Sequence, residues 1–176
     1  MIVSDLLLEQ IDRIKRQFGV TMMDIDRKML LWQPEKGANT ISFILWHVAR
    51  SWDSYLEFVD QGQDLYTRDN WSQRFSFETE GKGIGGSSMG TGFSEADMLL
   101  VKVQPAVLIE YFDAILVRSQ TFLVGSTDEK LGQEIIVPWW PRPSTAAGIF
   151  SHLLNHSALH IGEAQYIKGL WELKIK

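Results

Sequence analysis

Ile149-Phe150-Ser151-His152-Leu153-Leu154-Asn155-His156-Ser157-Ala158-Leu159-His160-Ile161-Gly162-Glu163 decides how the rest of the chain is read. Ile149, Leu153, His156, His160, Ile167 and Leu170 recur at helical steps, so they lie on one face of a helix. Ser144 or Thr145 caps that helix, and it runs to about Trp171. Two imidazoles stand on this face where a plain bundle would place leucine.

Working back from it, Pro138, Pro141 and Pro143 keep Ile135–Pro143 extended, and Ser126–Gly132 reads as a short capped turn. Ser94, with Glu95 and Asp97, starts a further helix through Met98, Val101, Tyr111, Phe112 and Ile115 to about Gly125. Pro105 predicts either a kink inside it or a fresh start near Gln104. Ile41, Ile44, Leu45, Val48, Trp52 and Tyr55 form another stripe, capped by Asn39 or Thr40 and stopped at Gly62. Leu7, Ile11, Ile14 and Phe18 form the first, capped by Ser4 or Asp5 and carried through Met22, Met23, Ile25 and Met29 to about Leu31.

Between the second and third of these helices, Gln63–Ser94 shows no period, and Gly81–Gly92 is rich in glycine. So long a stretch reads as a mobile crossover or a functional flap. Its Gly81-Lys82-Gly83-Ile84-Gly85-Gly86 has the spacing of a phosphate loop but neither a strand before it nor a periodic helix after it. The expectation is an all-α, four-helix bundle in one domain, residues 1–176, with a long crossover between helices two and three.

The 176 residues carry 17 Lys+Arg against 22 Asp+Glu, a net charge of −5. With no basic run, this argues against nucleic acid or an anionic membrane surface as partner. Cysteine is absent, which excludes disulfides, thiolate metal sites and a protein-borne cysteine nucleophile. No stretch approaches the roughly 18 apolar residues of a membrane span, and the first residues, Met1 to Asp5, have no basic start. A cytoplasmic location is expected.

All four histidines fall on two helices: His47 on the second, and His152, His156 and His160 on the last. His156 and His160, one turn apart, can share an ion. Buried without partners, each would cost about 1–3 kcal/mol. Either each imidazole bonds a carbonyl or carboxylate and fills space, or the pair holds a metal. In the second case His47 is the natural third ligand, and three neutral imidazoles leave an open fourth position, as in catalytic sites. Glu163 could orient a ligand or sit solvated, and Asp53 and Glu57 are equally ambiguous. No catalytic side chain can be named. Trp46, Trp52, Trp71, Trp139 and Trp140 could line a cleft or close the core.

Ile41-Ser42-Phe43-Ile44-Leu45-Trp46-His47-Val48-Ala49-Arg50, followed much later by His152-Leu153-Leu154-Asn155-His156-Ser157-Ala158-Leu159-His160, resembles the DinB/YfiT-like superfamily. The resemblance implies a four-helix bundle, often a homodimer, with one divalent ion, variously nickel, zinc or iron. Its ligands would be His47, His156 and His160, with His152 beside the site. It also implies a small-molecule substrate, and some relatives are S-transferases that use low-molecular-weight thiols such as bacillithiol or mycothiol. The first expectation is therefore a metal-dependent transferase joining an external thiol to a small electrophile. A metal-dependent hydrolase and a non-catalytic, metal-binding stress-response bundle are the alternatives.

Overall fold

A computed structural model describes residues 3–175. Four long helices dominate it: α1 (Val3–Met22), α3 (Ile41–Asp60), α7 (Pro105–Val124) and α9 (Ala146–Lys174). α1 and α3 each pack mainly on α7 and α9. The two helices that come first along the chain therefore lie across a diagonal of the four-helix bundle, and so do the last two.

Local chemistry sets most boundaries. Thr40 caps α3 by accepting the Phe43 N–H, and Thr145 caps α9 by accepting that of Gly148. Ser94 and Asp97 form a reciprocal capping box at the start of α6 (Glu95–Leu100). α6 then stops, and α7 begins anew at Pro105 with Gln104 as its cap. Proline fits the first turn of a helix because its missing N–H has no intrahelical partner there. Thr127 caps α8 (Asp128–Leu131), and β1 (Glu134–Ile135) pairs antiparallel with β2 (Ser144–Thr145) across the proline-rich bend.

Two expectations about the first helix are corrected. Ser4 and Asp5 lie inside its first turn, and the Val3 N–H is met instead by Asp128 Oδ1 at 3.2 Å. The helix also ends at Met22: Asp24 takes the left-handed conformation, at φ 58°, and Asp26 caps a separate α2 (Arg27–Leu31).

The crossover is also more ordered than its sequence suggests. It contains α4 (Leu65–Arg68), α5 (Trp71–Phe75), a 3₁₀ turn at Ile84–Gly86 and α6. The crossover covers the side of α3 turned away from the bundle through α4 and through Phe77, Met89, Phe93 and Val101, and every residue from Ile41 to Leu56 is buried. Polar residues inside that helix are matched. The Ser42 hydroxyl donates to Val101 O at 2.6 Å and accepts the Val103 N–H at 3.1 Å.

Asp53, fully buried, carries the main polar junction. It accepts from the Leu65 and Tyr66 N–H groups at 2.8 Å each, from Tyr111 Oη at 2.6 Å and from Arg50 Nη1 at 3.2 Å. One carboxylate thus ties α4 and α7 to α3. Asp53→Ala would leave two amides without an acceptor and Arg50 with Asp64 as its one remaining carboxylate, and we expect a loss of about 3 kcal/mol in urea unfolding. A change below about 1 kcal/mol, the scale of an exposed ion pair, would contradict that role.

Candidate metal centre

α3 and α9 bring three histidines to one point. Nitrogens of His47, His156 and His160 all lie within 4.8 Å of one another, and the rings meet edge to face at centroid separations of 4.8, 5.1 and 4.5 Å. His156 and His160 flank the buried stripe of α9, which runs through Leu153, Ser157, Ile161 and Ala164. They therefore sit at its half-buried edge rather than on its innermost line. Ser157, fully buried on that line, has its hydroxyl matched there by the Trp52 indole N–H at 2.7 Å.

Each histidine is held differently. His47 Nδ1–H donates to the Met89 carbonyl at 2.6 Å, which turns the Nε2 lone pair toward the other two rings. Phe43 lies parallel to it at 5.9 Å. His160 Nδ1 donates to Glu163 Oε2 at 3.0 Å, and Glu163 Oε1 accepts from Asn39 Nδ2 at 2.9 Å. The bond from His160 holds the Glu163 carboxyl below the usual carboxylate range, even though partial burial opposes it. Glu163 is thus an orienting carboxylate, the partner that metal-bound imidazoles commonly use.

His156 has no such support: its Nδ1 is buried without a partner, and its Nε2 faces His47 Nε2 at 3.0 Å. Two lone pairs at that distance repel unless a proton or a cation lies between them. Burial pushes the His47 pKa down to about 4. Burial and the neighbouring imidazoles push that of His156 down to about 3. At neutral pH both rings are therefore neutral, the form that binds a metal.

The donor set fits a divalent ion of borderline softness: three imidazoles, one oriented by a carbonyl and one by a carboxylate, which by number leave a tetrahedral ion its fourth position. His152 is not part of it. Its ring packs on Tyr55 at 5.3 Å and on Trp140 at 5.1 Å, with His156 5.9 Å away. Trp139 and Trp140 both donate to the Tyr55 hydroxyl at 3.0 Å, which makes an aromatic shoulder beside the histidines. Trp46, Trp52 and Trp71 are buried in the core.

The glycine-rich segment participates directly, and this was not readable from the sequence. Gly90, at φ +109°, lies so close to His47 that an added Cβ would stand 2.7 Å from its Nδ1. Only glycine permits both that conformation and that approach. Gly90→Ala should break the Met89–His47 bond and weaken metal binding about tenfold, by analogy with lost outer partners of metal ligands. Unchanged affinity in a competition titration would mean that the bond has no such role. Of the Gly81–Gly86 stretch only Ile84–Gly86 forms a 3₁₀ turn, and among the described residues no strand precedes it and no regular helix directly follows it.

Similarity to known proteins agrees with the bundle. A crystal structure of a conserved protein from Enterococcus faecalis superposes with a TM-score of 0.80 at 21% identity, covering 96% of each chain. YfiT from Bacillus subtilis, described as "a probable metal-dependent hydrolase with an unusual four-helix bundle topology", superposes at 0.66 with 13% identity, over 96% of this chain and 87% of its own. No curated protein matches the sequence. The family model of the DinB superfamily matches residues 10–164, nearly the whole length over which the four helices and the histidine cluster are built, and the chain belongs to that superfamily.

Proposed function

We propose that residues 1–176 form one metal-dependent catalytic domain in which His47, His156 and His160 hold a single divalent ion, nickel, zinc or iron. The observation that carries this is the facing pair of neutral imidazole nitrogens, 3.0 Å apart, beside a third histidine anchored on Glu163. When bound, the ion supplies Lewis acidity that lowers the pKa of a small nucleophile at its open position.

The favoured nucleophile is an external low-molecular-weight thiol, and the reaction is its transfer to a small electrophile. A thiol has an ordinary pKa near 8.5 and bulk water one of about 15.7, so a thiol asks far less of the site. Glu163, engaged by His160 and Asn39, is better suited to orienting than to carrying protons. In the transfer, the thiol proton leaves to solvent and the sulfur forms a bond to an electrophilic carbon. That carbon then loses its leaving group or, in an activated alkene, passes electrons to its neighbour, which takes a proton. His47, fixed by Met89, and His160, fixed by Glu163, hold their positions throughout. The aromatic shoulder of Tyr55, Trp140 and His152 offers an apolar surface for the electrophile.

Hydrolysis is the second reading, supported by the description of YfiT and by the half-buried, water-accessible edge on which His156 and His160 lie. The test is turnover of an activated aryl halide and an activated ester by metal-loaded protein, with and without bacillithiol, mycothiol or glutathione. Thiol-dependent turnover that His160→Ala abolishes is expected. Metal-dependent turnover of the ester without thiol would replace transfer with hydrolysis, and no turnover of either would leave a metal-binding bundle without catalysis. No helix among the described residues is long and apolar enough to cross a membrane. The reading includes a cytoplasmic homodimer acting on a small molecule, and sedimentation checks the assembly.

A further inference from the structure

Away from the histidines, α3 and the crossover enclose a cavity of about 710 Å³, within the usual size range of small-molecule sites. Its wall carries four carboxylates, Glu57, Asp64, Glu78 and Glu80, against one cation, Arg50. Arg50 is already engaged. Its Nη1 meets Asp53 and Asp64 at 3.2 Å each and Tyr111 Oη at 3.1 Å, and its guanidinium lies 4.1 Å from the centre of the Tyr66 ring.

Other nearby cations are committed elsewhere: Lys82 to Asp97, Arg74 to Glu110 and Arg68 to Asp69. Among the described residues, Glu57, Glu78 and Glu80 pair with no lysine or arginine. Glu57, partly buried, accepts only the Asp64 N–H at 3.1 Å, and burial pushes its carboxyl up.

The rest of the wall includes the aromatic faces of Phe58, Tyr66, Phe77 and Trp139. Trp139 is 44% exposed yet held in place by its bond to Tyr55 and by the edge of Phe58 at 5.3 Å. Tyr66 is only 7% exposed, with its hydroxyl fully buried. Unmatched carboxylates beside aromatic faces complement an organic cation, through charge and through the ring quadrupole. An anion would meet repulsion.

We propose that this cavity binds a small organic cation, with its ammonium group against Glu57 and its apolar or aromatic body on Phe77 and Trp139. None of the three clustered histidines lines the cavity, so the site stands whether or not a metal is bound. Met89 is common to both places: it forms part of the cavity wall, and its carbonyl anchors His47.

Calorimetry on the full chain tests this with three ligands of one shape: tryptamine, neutral tryptophol and anionic indole-3-propanoate. Tryptamine should bind about tenfold tighter than tryptophol and weaken as salt rises, and the carboxylate should bind worst. Glu57→Gln, which keeps an acceptor for the Asp64 N–H, should remove about tenfold of tryptamine affinity while leaving tryptophol unchanged. Trp139→Ala should weaken both. Tryptamine should bind alike to metal-free and metal-loaded protein, so a failed metal assignment would not touch the result. Equal affinities for the three ligands, no saturation by tryptamine, or a Glu57→Gln variant that binds it as well as the parent would each overturn the proposal.

Discussion

Replacing His156 by alanine should drop metal content from about one divalent ion per chain to near zero, with helical content kept. Loss of one of three imidazoles leaves two donors and opens the site to water, and two nitrogens hold an ion far more weakly than three oriented ones. His156 is the informative position because it makes no hydrogen bond outside the cluster: its Nδ1 has no partner and its Nε2 meets only His47. In the metal-free state the substitution removes an unsatisfied polar group, so thermal stability without metal should hold or rise. The stabilisation normally gained on adding metal should disappear. His152→Ala, on the aromatic shoulder, should leave stoichiometry unchanged. Elemental analysis together with melting curves reads all of this. Full metal content in His156→Ala, or a larger loss in His152→Ala, would refute the ligand set.

Acid should destabilise the metal-free protein well before ordinary carboxylates titrate. Unfolded, His47 and His156 take up protons near pH 6.5. Folded, they do so only near about 4 and about 3. Between those limits the unfolded chain binds more protons, so stability is complete above pH 6.5 and falls as pH drops. The shifts correspond to at most about 3 kcal/mol for His47 and about 4–5 kcal/mol for His156. That is a large part of the roughly 5–15 kcal/mol that holds a typical domain together. The melting temperature should therefore decline steeply from pH 6.5 to pH 5, where most carboxylates stay charged, and replacing both histidines by glutamine should flatten that decline. A metal-free melting temperature that is level over this interval would contradict the burial of these rings as neutral bases.

Features written in local sequence were legible in advance. Thr40, Thr145, Thr127 and the Ser94–Asp97 pair cap where hydroxyls and carboxylates precede periodic apolar residues, and Pro105 restarts a helix. The approach of His47 to His156 and His160 followed from helical spacing combined with the family resemblance. What the sequence concealed is non-local. Asp128 closes the start of α1 from a distant turn, and Asp24 ends that helix although methionines continue its pattern. Gly90 reads as one glycine among many until its contact with His47 is visible, and Asn39 reads as a cap until it is seen to hold Glu163. The crossover lacks periodicity because its short elements pack through scattered residues: Trp71 and Phe75 on Tyr111 of α7, and Met89 through its carbonyl on His47 of α3.

The enclosure of α3 has a consequence for how substitutions are tolerated. On α1, damage should rise and fall with the helical repeat, since Leu7, Ile11, Ile14 and Phe18 face inward while the residues between them meet solvent. On α3, buried from Ile41 to Leu56, that rhythm should vanish. A saturation mutagenesis map would show an unbroken band of intolerance sixteen residues long, in which serines and charged residues resist replacement as firmly as leucines.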